Sequence, residues 1–126
     1  MKGKGVTIFW FALAVLIVGG FGARMYMKTL PGKYDGVAQC LKDKGAVFYG
    51  AFWCPHCQEQ KRLFGNSAEL LPYVECSNPD GKTQTQACID KGVIQYPTWE
   101  FADGTKMTGE QQPSVLAEKA GCPMPE

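Results

Sequence analysis

Hydrophobic and polar positions divide the chain into one long apolar stretch and a remainder of short, punctuated elements. From Gly5 to Ala23, 19 residues pass without a charge (GVTIFWFALAVLIVGGFGA), with Lys2 and Lys4 before them and Arg24 and Lys28 after. At about 1.5 Å of rise per residue such a helix is roughly 28 Å long, close to the hydrocarbon thickness of a bilayer. No polar face interrupts the run, which argues against a buried helix of a soluble protein. Residues 1–24 are therefore expected to form an N-terminal transmembrane signal anchor. The competing reading is a removable signal peptide, with Val6–Val18 as its apolar region and Gly20-Phe21-Gly22 as a small-x-small cleavage site. Continuation of the apolar run through Phe21, and a cleavage site without alanine, favour the anchor.

After the anchor the periods become short. Residues 25–33 read as a linker, with Pro31-Gly32 as its turn signal. Val37, Cys40 and Leu41 fall at i, i+3 and i+4 and predict a helix that Asp35 caps and Gly45 ends. The apolar run Ala46–Phe52 suits a strand covered on both faces. Pro55 then fits the first turn of a helix and Gly65 its end. Leu71–Cys76 predicts a second strand, Ser77–Lys82 a turn, and Thr83–Lys91 a short helix closed by Gly92. Tyr96–Phe101 and Lys106–Thr108, joined through Asp103-Gly104, predict a hairpin. Pro113–Ala120 predicts a last helix stopped by Gly121. The order α-β-α-β-α-β-β-α makes residues 34–126 an α/β domain: a small mixed sheet flanked by helices, with one parallel pair and an antiparallel hairpin.

Composition narrows the function classes. In 126 residues, 13 basic side chains face 12 acidic ones, and removing Lys2 and Lys4 leaves 11 basic against 12 acidic. That balance supplies no field for nucleic acid, which is excluded as a partner. Gly 15 and Pro 8 occur without a period, so repeat architectures are excluded as well. Six cysteines are many for a reduced compartment. Lys2 and Lys4 against Arg24, Lys28 and Lys33 leave the orientation of the anchor open. All six cysteines follow the anchor, so the C-terminal domain is expected on the periplasmic or extracytoplasmic side of the cell membrane, held by a single pass.

The candidate chemistry is Cys54-Pro55-His56-Cys57. A thiolate, not a thiol, attacks a disulfide. A cysteine at the first turn of a helix meets unpaired N–H groups and the positive end of the helix dipole, which favour a negative sulfur. A protonated His56 adds a further positive charge. Two intervening residues let the second sulfur close or resolve a disulfide. Cys54 is thus expected to be an exposed nucleophile and Cys57 a more buried resolving thiol. The competing reading of the pair is half of a zinc site. The other cysteines, 40, 76, 88 and 122, are widely spaced and the one histidine lies inside the motif, so no metal is expected. Tyr96-Pro97 is the second signal, because a cis X-Pro bond there brings backbone beside the dithiol; an isolated X-Pro bond is far more often trans. Trp53 and Trp99 suit substrate contact or packing equally well. Lys61-Arg62 reads as a solvated helix face, and Met25 and Met27 as a linker or interface pair without a copper-site pattern.

WCPHC after an apolar strand, followed by YPT before a hairpin, resembles the thioredoxin superfamily. The longer blocks GAFWCPHCQEQKRLFG, YVEC, QACIDKGVIQYPTWEF and LAEKAG resemble the thioredoxin-like domain associated with bacterial and plant homologues of vitamin K epoxide reductase, over about residues 36 to 122. The resemblance implies a thioredoxin-like fold with Cys54 and Cys57 as redox pair, Pro97 as cis-proline and a Cys76–Cys88 structural disulfide, in place of two buried free thiols. Cys40 and Cys122 remain. In such a fold their helix ends meet at the pole opposite the site, which implies a second staple; a buried Cys40 and a Cys122 paired with another chain are the rivals. Two departures stand out. Phe48 occupies the position where thioredoxins commonly bury an acid, which leaves Cys57 without a base other than water, since Glu59 reads as a solvated residue. The four-helix reductase part of the family has no counterpart here, so a recycling partner is expected on a separate chain.

The expected function is thiol–disulfide exchange outside the cytoplasm. Cysteine thiols of substrate proteins are oxidised by the Cys54–Cys57 disulfide with no separate cofactor, near Trp53, Tyr96 and Pro97. A quinone-linked, vitamin K epoxide reductase-like membrane protein serves as electron acceptor. The alternatives are a disulfide reductase or isomerase, a redox-inert binding module, and a copper chaperone that uses the same dithiol as soft ligands.

Overall fold

A computed structural model describes residues 2–126, with Lys2 described by its backbone alone; Met1 and the Lys2 side chain, both in the expected anchor, lie outside the described residues. The chain divides into two compact units, residues 1–30 and 31–126.

The first unit is a single helix, α1 (Lys2–Thr29). Its stretch Gly3–Thr29 is long and apolar enough to cross a membrane. Phe9, Phe11, Leu16 and Phe21 are among its apolar side chains. The linker expected over 25–33 is corrected here. Met25, Tyr26, Met27 and Lys28 continue the helix, because nothing in them breaks it until Pro31-Gly32.

The second unit is a four-stranded mixed sheet with helices. Its elements are α2 (Asp35–Asp43), β1 (Val47–Gly50), α3 (Pro55–Phe64), β2 (Tyr73–Glu75), α4 (Gln86–Asp90), β3 (Thr98–Glu100), β4 (Lys106–Thr108) and α5 (Pro113–Ala120). The strand order is β2-β1-β3-β4. β1 runs parallel to β2, with Phe48 opposite Tyr73, and antiparallel to β3, with Phe48 opposite Trp99; β3 and β4 form the hairpin. Side chains alternate across β1. Phe48 stacks on Trp99 at 4.9 Å, in a core shared with Val37 and Leu41 of α2, Phe64 of α3 and Leu116 of α5. Tyr49 faces the other way, into a smaller cluster with Cys76, Cys88 and Val93.

Two disulfides tie this frame. Cys40 of α2 bridges Cys122, just past α5, with the Cα atoms 5.9 Å apart; Cys76, at the end of β2, bridges Cys88 of α4 at 5.6 Å.

Several local readings differ in the structure. Tyr34, not Asp35, is the N-cap of α2, and the Asp35 carboxylate instead accepts the Gly32 N–H at 3.1 Å. The helix expected over Thr83–Lys91 is only Gln86–Asp90. Ser77 pairs with Gln84 across an isolated bridge and Thr85 N donates to Cys76 O at 2.8 Å, so the backbone at 84–85 is engaged in a turn that a helix cannot share. A 3-10 turn, Gly65–Leu70, follows α3 where a plain helix end was expected.

Candidate active site

The site forms where β1 hands over to α3. Gly50 ends the strand, the Cys54 N–H donates to Ala51 O at 3.0 Å, and Cys54 is the N-cap of α3 in an extended conformation with Pro55 following in the first turn. Proline is suited to that place, because its missing N–H is one the helix leaves unpaired anyway. Among the described residues, Cys54 and Cys57 are the free cysteines. Both are buried, at 5% and 1% exposed. The expected exposure of Cys54 is therefore corrected. Its sulfur lies 3.8 Å from the Tyr96 carbonyl, across from the cis Tyr96–Pro97 peptide, and this backbone covers it. It still lines a cleft of about 700 Å³ shared with Trp53, His56, Ile94, Tyr96 and Glu110.

The two sulfurs have different surroundings. Burial pushes the Cys57 thiol up to about 12, with the neighbouring Cys54 adding to the shift and the Ala51 backbone and Lys61 pulling against it. Cys57 is thus protonated near neutral pH and cannot attack first. Of the pair, only Cys54 opens on the cleft, so an incoming disulfide or thiol meets Cys54.

The surroundings of Cys57 include residues that no motif announced. Phe48 holds no acid for it and is instead sealed in the core. Tyr73 takes the neighbouring space: a Cβ on Gly50 would stand 2.8 Å from Tyr73 Cε2 and 2.9 Å from Cys57 Sγ. The Tyr73 hydroxyl donates to Glu75 Oε2 at 2.7 Å, and the other Glu75 oxygen accepts the N–H groups of Phe52 (3.1 Å) and Ser77 (2.9 Å). Burial, then the hydrogen bond to Glu75 and its charge, raise the Tyr73 hydroxyl above the ordinary tyrosine range. Lys61 is not merely solvated; its Nζ sits 3.7 Å over the Tyr73 ring. Gly50 was the available signal, since a glycine inside a strand marks close approach of neighbouring groups.

The rim is built from three segments. Trp53 Nε1 donates to Ser77 Oγ at 2.9 Å, and the indole meets Tyr96 edge-on at 6.1 Å. His56 Nδ1 lies 2.6 Å from Glu110 Oε1. Gln60, fully buried on α3, accepts from Gln111 N (2.7 Å) and Trp99 Nε1 (3.3 Å) and donates to Gln111 O (2.8 Å), which fixes the loop that carries Glu110. Glu110 and Gln60 carry no sequence signal of their own. Pro97 is fully buried beneath the site, Trp99 lies wholly in the core, and Glu59 is paired with Arg62 at 2.7 Å.

A dithiol at the start of a helix, facing a cis-proline peptide on a four-stranded mixed sheet, fits a thioredoxin-like domain. No family model matches the chain. It is 43% identical over 90 residues to the thiol-disulfide oxidoreductase LTO1 of Arabidopsis thaliana, a match that covers 68% of this chain and 23% of the relative. The chain thus spans about a quarter of the length of that curated relative.

Proposed function

We propose that this protein is a membrane-anchored thiol–disulfide oxidoreductase whose domain after α1 works outside the cytoplasm and oxidises protein thiols. The observation that carries the reading is the placement of the two free sulfurs: Cys54 at the cleft and at the start of α3, Cys57 buried behind it, with the Tyr96 carbonyl opposite. The name of the Arabidopsis relative supports the reaction class. Two further disulfides support an oxidising compartment, and α1 supports attachment to its membrane.

A substrate thiolate attacks Cys54 Sγ of the Cys54–Cys57 disulfide. The S–S bond breaks, Cys57 leaves as a thiolate that takes up a proton, and a mixed disulfide forms on Cys54. A second substrate thiol then releases substrate as a disulfide and leaves the dithiol, so two electrons have entered the protein. His56 and the α3 N-terminus favour negative charge on Cys54, which stabilises the reduced form and makes the pair an oxidant. Trp53 and Tyr96 bound the surface on which substrate lies, with Pro97 buried beneath it. A vitamin K epoxide reductase-like membrane protein linked to quinone takes the electrons on; the sequence resemblance supports this partner. No cofactor other than the dithiol takes part.

The test is a trap. With Cys57→Ala in the native membrane, the Cys54 thiolate still attacks a disulfide of product or recycler, whose other sulfur leaves as a thiolate, but no neighbouring thiol then displaces Cys54; mixed disulfides should accumulate, and their mass-spectrometric identification names substrate and recycler. A variant with no trapped protein, together with a wild-type chain that never exchanges with glutathione, would end the proposal.

A further inference from the structure

His56 and Glu110 meet on the rim of the cleft, and the acidic partner lies outside the dithiol motif. His56 Nδ1 stands 2.6 Å from Glu110 Oε1, and both residues line the cleft that Cys54 opens on. Glu110 is placed by structure rather than by chance contact. Buried Gln60 grips both backbone polar groups of the adjoining Gln111, so the loop after β4 cannot drift from α3. Arg62, a cation of α3 that also feels Glu110, is held by Glu59 on its own helix at 2.7 and 2.5 Å, which leaves Glu110 to His56.

We propose that Glu110 sets the redox balance of the dithiol by counter-charging His56, making the Cys54–Cys57 pair a weaker oxidant than its Pro-His dipeptide would be alone. A protonated His56 unopposed favours the Cys54 thiolate and hence the reduced form; a carboxylate 2.6 Å away cancels that charge. The inference rests on the oxidoreductase reading above and deepens it, because it names the residue outside the motif that tunes the reaction.

The experiment equilibrates full-length protein in detergent micelles with reduced and oxidised glutathione at about pH 5.5, where an imidazole is protonated with or without a carboxylate beside it. Two glutathione thiols pass two electrons and two protons to the protein disulfide, yielding glutathione disulfide and the dithiol. Glu110→Gln should move this equilibrium about fivefold toward the reduced protein, about 20 mV for a two-electron couple. Glu110→Ala should do the same, which guards against a folding defect in either variant, while Glu110→Asp should stay within about twofold of wild type. Because the pair is open to water, with His56 70% and Glu110 34% exposed, the difference should shrink at about 1 M salt. Wild-type protein that equilibrates while Glu110→Gln and Glu110→Ala match it would overturn this inference alone. So would a shift toward the oxidised form, or one indifferent to salt, which would mark a packing role. A wild-type chain that does not exchange with glutathione would remove the oxidoreductase reading and this inference together.

Discussion

Tyr73 and Cys57 meet over the bare α-carbon of Gly50, where a single methyl group would stand under 3 Å from both. Gly50→Ala therefore forces the aromatic ring or the sulfur to move. We expect a loss of about 1–3 kcal/mol in stability, the usual range for overpacking. Urea denaturation should show it, and the displaced Cys57 should resolve mixed disulfides more slowly in stopped-flow exchange.

The raised Cys57 thiol gives the reduced protein a pH dependence that the oxidised protein lacks. A proton held more tightly in the folded state stabilises fully below the ordinary value of 9.0 and is lost as pH rises toward 12. Thermal melts from pH 7 to 11 should show the reduced form losing stability relative to the oxidised form above about pH 9. In the same reduced protein, alkylation near pH 8 should find one fast thiol. The other thiol, Cys57, buried and pushed up to about 12, should react far more slowly.

Gln60 is a fully buried amide whose oxygen and nitrogen both serve the 109–112 loop. Gln60→Leu keeps the volume but strands Gln111 N, Gln111 O and Trp99 Nε1. The expected cost is about 2–3 kcal/mol, since unpaired buried groups keep their desolvation penalty. Hydrogen exchange should report the loosened loop as lost protection at Gln111.

Much of this architecture was legible in the pattern of residues. Pro55 and Gly65 bracket α3, and both ends lie there, because proline and glycine act through local backbone geometry. The hairpin through Asp103-Gly104 was legible for the same reason. The start of α4 was not, because the backbone at Ser77, Gln84 and Thr85 is engaged by partners that periodicity does not reveal. Glu110, Gln60 and Tyr73 were also illegible as parts of a site. Gln60 shares α3 with the dithiol but acts through contacts with Gln111 and Trp99, and Glu110 and Tyr73 reach the site only through the folded chain.

The two structural disulfides should differ in what their loss costs. Cys40 and Cys122 are 82 residues apart, and Cys76 and Cys88 only 12. The chain-entropy model gives about 4.5 kcal/mol for the larger loop and about 3 kcal/mol for the smaller. Paired serine substitutions, followed by urea denaturation of each variant, should reproduce that order. Only the shorter bridge secures the segment on which the Trp53 indole rests through Ser77, so its removal should also slow substrate exchange, read as the rate with a dithiol peptide.

The longer bridge bears on how the protein is made. Four other cysteines lie between Cys40 and Cys122 along the chain, and each leaves the ribosome before the proper mate does. An oxidant acting during synthesis therefore offers Cys40 the wrong sulfur four times over. Correct pairing of Cys40 has to await the completed chain or follow from exchange of early mistakes.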